Sequence, residues 1–215
     1  NETLQAIDDL SRSLNRGVHI HVAEDKCDQE HSERKHDLFL TDRLDKFDLL
    51  RPGMLFAHCI HLNKSNYQRL CEAGVSVAHN PRSNMNNAVG YAPVGYMACP
   101  IQLGTDGIGA DMFTEAKTAW FKSRDGKAGI SPDDVMAMLA NGARRASEDL
   151  GVTVGLLRPK AAADLMVLDY FPATPLTASN FSGHFIFAMG ANHVKDVMTN
   201  GRWVMRDRKI ETCDE

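Results

Sequence analysis

The sequence predicts an α/β protein, with a parallel sheet of βα units first and an antiparallel β module after it. Short β-branched or apolar runs recur through the first half, and helical patterns separate them. From about Val152 the texture changes to short β-like runs set between Gly, Pro and Asp turns. Strands alternating with helices at this spacing argue for parallel βα units. The chain has 215 residues, with 24 basic and 28 acidic side chains and a net charge of −4. That length has room for one large domain or two small ones. The composition, 43% hydrophobic and 24% charged, is that of an ordinary globular protein and not of a disordered or fibrous one. The mild acidity, with no basic stripe, argues against a nucleic-acid binder.

Taken in order, Thr3–Leu14 reads as an amphipathic helix and Val18–Ala23 (VHIHVA) as the first strand. The segment from Asp28 to Leu50 is helical in pattern, and Met54–Cys59 (MLFAHC) is the second strand. Asn63–Ala73 forms a helix, with Asn63 as N-cap and Gly74 as the stop. Val75–Ala78 and Pro100–Leu103 are the third and fourth strands. Between them, Asn80 to Ala98 is rich in Asn, Gly and Pro and reads as a long loop with one short helix; long ordered loops are usually functional. Ser131-Pro132 opens a helix that Gly151 closes, with Val135, Met138, Leu139, Ala146 and Leu150 on one face. In the tail, Leu165–Leu168, Val194–Thr199 and Arg202–Met205 read as strands, the last two joined by Asn200-Gly201, a strong hairpin signal.

Five cysteines (Cys27, Cys59, Cys71, Cys99 and Cys213) are odd in number and form no CxxC pair. That disfavours a disulfide framework and a thiolate zinc site, and favours reduced thiols in the cytoplasm. No apolar run approaches the roughly 20 residues needed to cross a bilayer, and the first residues do not form a signal peptide, so no membrane role is expected.

Titratable residues collect where each early strand ends. The first run holds His19 and His21, then Glu24; the second ends in Ala57-His58-Cys59-Ile60-His61. The third ends in His79-Asn80-Pro81-Arg82-Ser83-Asn84, and the fourth leads into Gly104-Thr105-Asp106-Gly107. In a parallel αβ barrel that end of the strands builds the active site. His and Asp together suit zinc or ferrous iron with a position left for water. Glu24, just past the strand, is placed to move protons at such a water. His19 shares a face with His21 and either ligates or packs in the layer below. His61 either caps the next turn or touches substrate. Asp106 reads as a ligand, with a simple turn residue as the alternative. His31, His36, His184 and His193 read as surface or packing residues.

HVAE at 21–24, AHCIHL at 57–62, HNPRSN at 79–84 and LGTDG at 103–107 resemble, in order, the second half of the metal-dependent amidohydrolase superfamily. The branch is the one containing adenosine-type, guanine and methylthioadenosine deaminases with the triazine chlorohydrolases. The tail stretches NGARRASEDLG at 141–151 and VKDVMTNGRWVMRD at 194–207 look like that branch's β-sandwich return. HIHVAED and IGADMF also resemble aminohydrolases linked to selenium metabolism.

The resemblance implies the C-terminal half of a (β/α)8 barrel at 1–151, strands five to eight. It places the C-terminal portion of a β-sandwich at 152–215, with room for a returning helix. It implies one divalent metal, zinc first and iron as the alternative, held by His21, His58 and Asp106. Glu24 would be the proton shuttle, with His58 and Asp106 beside it in catalysis. His61, His79, Asn80, Arg82 and Asn84 would shape a pocket for an aminated purine, pyrimidine or related heterocycle, with Tyr91 in the same loop. The implied reaction replaces an exocyclic amine by water; hydrolytic dehalogenation and a catalytically silent fragment are the competing readings. Glu24 favours deamination, because a departing amine needs a proton and a departing chloride does not.

The family's first-strand His-x-His pair has no counterpart besides His19-x-His21, and the order of the later motifs argues against that assignment. A full barrel needs about 250 residues. With Asn1 in place of a starting methionine, the expectation is a chain lacking the first four strands. Half a barrel has two open sheet edges, which invite pairing with another chain, a homodimer first of all. Light scattering of the isolated chain is expected to show dimers or aggregates, and a deaminase assay no turnover; a monomeric, fully active preparation contradicts both.

Overall fold

A computed structural model describes residues 1–212, and Cys213 lies outside them. The chain divides into two compact units, Asn1–Ile130 and Ser131–Glu215.

The first unit runs α1 (Glu2–Ser13), β1 (His19–Val22), α2 (Lys26–His36), α3 (Leu40–Lys46), β2 (Leu55–His58), α4 (Lys64–Glu72), β3 (Ser76–His79), α5 (Pro81–Asn86), β4 (Ile101–Leu103) and α6 (Met112–Asp125). Its four strands lie in one sheet in sequence order, and every pair is parallel. With a helix after each strand, this is the arrangement of half of a (β/α)8 barrel.

The register aligns His21, Ala57, Ala78 and Gln102 across one face, and Ile20, Phe56, Val77 and Ile101 across the other. The second row joins the core: Phe56 and Val77 are fully buried, together with Leu70, Val75 and Ala116. The first row begins with an exposed His21 and continues with small or polar residues. The sheet therefore has one aliphatic face and one face suited to polar chemistry.

Local signals explain most boundaries. Asn63 caps α4 through a reciprocal capping box with Asn66, and Gly74 takes the left-handed conformation after its end. The helical pattern of 28–50 resolves into two helices. Asp37 closes α2 in the left-handed region, while Ser32 Oγ donates to Leu38 O and Gln29 Oε1 accepts from Leu40 N. Helix α6 has no counterpart in the sequence reading. Its inner face is Phe113, Ala116 and Ala119 around a buried Glu115, so its apolar periodicity is faint, and the Asp111 N-cap is its clearest signal.

The second unit contains α7 (Pro132–Leu150), β5 (Leu165–Leu168), α8 (Phe181–Phe187), β6 (Val194–Thr199), β7 (Arg202–Arg206) and β8 (Lys209–Ile210), with the strands antiparallel in sequence order. Asn200 and Gly201 both have positive φ, as a two-residue hairpin turn requires, and Asp207-Arg208 repeats the device. Val135 and Met138 of α7 are buried, whereas Leu150, in the last turn, is 69% exposed. His184 is bonded to Tyr170 Oη and Thr174 Oγ1, and His193 to Gly190 N, which makes both local packing residues.

The four described cysteines are free, and no described helix is long and apolar enough to cross a membrane. Ser131 and Asp134 form a capping box at the start of α7. Ser131→Ala is expected to lower stability by about 1 kcal/mol in urea unfolding followed by circular dichroism.

Candidate metal centre at the strand ends

The ends of three parallel strands bring His21, Glu24, His58 and Asp106 together. Ala23, His58, Cys59 and Asp106 all have φ between 51 and 69°, the left-handed region that non-glycine residues rarely adopt. A regular continuation of β2 would have put His58 on the aliphatic face beside Val22, its register partner. The turn in the backbone swings its imidazole to the cluster instead. Hydrogen bonds hold this geometry: Cys59 N donates to Val22 O, and Ile60 N and His61 N both donate to Ala23 O. Tyr67 Oη of α4 donates to Cys59 O and Ile60 O.

His58 is the centre of the group and its side chain is fully buried. Its Nε2 stands 3.6 Å from Glu24 Oε2 and 3.7 Å from Asp106 Oδ2. Glu24 Oε2 is also 3.4 Å from His21 Nδ1. One donor atom each from His21, Glu24 and His58 lies within 4.8 Å of the others. His58 Nδ1 is 2.8 Å from Asn84 Oδ1. An amide oxygen only accepts, so Nδ1 donates to it, and in the neutral imidazole Nε2 carries the lone pair. That lone pair has no hydrogen-bond partner in the protein and faces two carboxylates. Electron-rich atoms converging in a buried place call for a cation between them. This donor set, imidazole nitrogen with carboxylate oxygen, could hold a divalent cation such as zinc or ferrous iron, and Asn84 orients the His58 ring from behind.

Asp106 is itself positioned from two sides. Ser83 Oγ donates to Oδ2 at 2.6 Å, and Gly107 N donates to Oδ1 at 2.7 Å. The Ser83 hydroxyl, more than any other neighbour, holds the Asp106 carboxyl below the usual carboxylate range. Glu24 accepts from Asn87 Nδ2 through Oε1, which leaves Oε2 to face the two histidines.

The remaining expected residues fall into two groups. His79, Asn80 and Asn84 are buried beside the cluster, and His79 meets the Tyr91 ring edge-on at 5.9 Å. Burial, with a smaller contribution from His58, pushes the His79 imidazole down to about 4, so it is neutral at ordinary pH. A Cβ at Gly104 would come within 2.3 Å of Asn80 Oδ1, so a larger residue there would displace that amide. Arg82 and His61 stand outside the His21–Glu24–His58–Asp106 cluster. Arg82 gives its guanidinium to Glu115 and to Gly109 O, because a fully buried carboxylate demands a partner. His61 donates from Nε2 to Val89 O at 2.7 Å and so ties down the loop. His19 stands exposed in β1, two residues before His21. Glu115 was missed because nothing in the local pattern of α6 announces a buried partner for Arg82.

The Amidohydrolase family matches this sequence over residues 1–204. The chain belongs to the amidohydrolase family. Relatives within it include a 5'-deoxyadenosine deaminase of Methanothermobacter thermautotrophicus, 32% identical over 92% of this chain and 48% of its own length. A 5-methylthioadenosine/S-adenosylhomocysteine deaminase of Halothermothrix orenii is also 32% identical, over 96% of this chain and 50% of its own. Among solved structures, an adenosine deaminase from Xanthomonas campestris with bound zinc superposes with a TM-score of 0.85 at 25% identity, covering 98% of this chain and 50% of the other. Atrazine chlorohydrolase TrzN from Arthrobacter aurescens, complexed with zinc, shares the fold with a TM-score of 0.78 at 18% identity, over 99% and 49%. This amidohydrolase chain thus spans about half the length of the relatives it matches.

The neutral His79 makes a pH prediction. An unfolded imidazole takes its proton near 6.5 and the folded one only near 4, so this contribution to stability is complete above 6.5 and is lost as pH falls toward 4. The loss amounts to about 3 kcal/mol. Urea unfolding across that window is expected to show it, with a shallower slope in His79→Gln.

Proposed function

We propose that the protein supplies these residues to a metal-dependent aminohydrolase that replaces the exocyclic amine of an adenosine-type nucleoside with hydroxyl, releasing ammonia. The observation that carries this reading is the buried, unpartnered His58 Nε2 aimed between Glu24 and Asp106. The deaminase activities named for the relatives support the substrate class. His21, His58 and Asp106 would hold the ion, with zinc proposed first because two of the structural relatives carry it, and iron second. When bound, such an ion acidifies a water and polarises the carbon under attack.

The residues of the chain do the rest. Glu24 Oε2 takes the proton from the water and delivers it to the departing amine nitrogen, while Asn87 holds Oε1. Asn84 keeps the His58 Nε2 lone pair pointed inward, and Ser83 fixes Asp106. Neutral His79, with Asn80, walls the pocket for the heterocycle. Amine departure needs this proton delivery, which favours deamination over dehalogenation for a site containing Glu24. We also propose a cytoplasmic homodimer, on the strength of scattered free thiols and the end strands β1 and β4 of the parallel sheet.

Metal analysis after reconstitution with zinc or iron is expected to find bound metal, and an ammonia-release assay with adenosine and 5'-deoxyadenosine tests the chemistry. In any active form, Glu24→Gln should lower turnover about 10²–10⁴-fold while sparing the metal. Metal below about a tenth of an equivalent, with no gain on reconstitution, sinks the reading.

A further inference from the structure

We propose that the buried Arg82–Glu115 pair is a positioning clamp that sets the orientation of His58 and Asp106 through the short helix α5. The proposal rests on the reading of those two residues as ligands. Neither Arg82 nor Glu115 touches the cluster.

Glu115, in α6, is fully buried, and its two oxygens take two separate donors from one residue. Arg82 N donates to Oε1 at 3.1 Å, and Arg82 Nε pairs with Oε2. Asn80, the N-cap of α5, makes no side-chain cap bond, and Pro81 has no N–H to give. Glu115 therefore supplies from a neighbouring helix the acceptor that α5 lacks locally. The other end of the guanidinium, Arg82 Nη2, donates to Gly109 O at 2.6 Å, pinning the segment that carries Asp106.

What makes this more than a structural ion pair is the pair of residues that follow. Ser83 bonds Asp106 Oδ2 and Asn84 bonds His58 Nδ1. Three consecutive residues of α5 thus bind α6, Asp106 and His58 in turn. A rotation of α5 that Glu115 no longer resists would move both orienting groups together. Because outer-shell partners of metal ligands set ring tautomer and carboxylate direction, loosening them weakens metal affinity.

The test compares wild type with Glu115→Gln, Arg82→Lys, Ser83→Ala and the Glu115→Gln/Ser83→Ala double variant. It reads zinc affinity by chelator competition, the His58 tautomer by long-range 15N NMR of the metal-free chain, and folding by circular dichroism. With the fold intact, Glu115→Gln is expected to weaken zinc binding about 10–100-fold and to lose the pure Nδ1–H signature of His58. The double variant is expected to lose less than the product of the single losses, because both act through Asp106. Should Glu115→Gln fail to fold, Arg82→Lys decides: it keeps the buried carboxylate paired, and a similar loss is expected from its missing contact to Gly109 O. Zinc affinity within about twofold of wild type and an unchanged tautomer in a folded variant overturn the clamp. Should the wild type bind no zinc, the metal reading fails on its own, and the tautomer comparison still decides the clamp.

Discussion

Everything at the candidate site depends on one electrostatic constraint: a buried imidazole nitrogen without a hydrogen-bond partner is held against two carboxylate oxygens. No packing argument rewards that arrangement, and desolvation opposes it unless a cation shares the space. The surrounding architecture reads as the means of enforcing it. Four non-glycine residues at the strand ends take left-handed backbone conformations, each at a cost of about 1–3 kcal/mol, and they persist because neighbours over-determine them. Ala23 O accepts two backbone donors from the end of β2, and Tyr67 locks the next two carbonyls.

The segment between β3 and β4 fastens this arrangement. Its first turn supplies Ser83 to Asp106 and Asn84 to His58, and its middle is tied down by His61. Tyr91 lies so close to Gly126 that a Cβ there would come within 2.7 Å of its ring. A long connection of this kind is ordered by specific bonds, in keeping with a role in the site.

The cluster is also unequal in its exposure. His58 is sealed, Glu24 and Asp106 are each 24% exposed, and the His21 side chain is 60% exposed. A buried ligand with its proton position fixed from behind suits steady coordination. A carboxylate in partial contact with solvent suits proton exchange, because it can take and return a proton without a large desolvation cost. Exposure separates His58 from the other three, but it does not separate Glu24 from Asp106.

The alternation of strands and helices, the Asn63, Ser131 and Asn200-Gly201 signals, and the collection of His, Glu and Asp at the strand ends were all legible in the sequence. Each rests on residues close together along the chain, where periodicity and capping act. Helix α6 was not legible, because alanines and a buried Glu115 blur its apolar stripe. Nor was the fate of Arg82, which by type alone suits a substrate contact. Its partner lies 33 residues away. Residues close together along the chain set which side chains arrive at the C-terminal end of the parallel strands. Which of them converge and which brace the others depends on backbone conformation at the strand ends and on pairings between distant helices, and neither is written in any local run of residues.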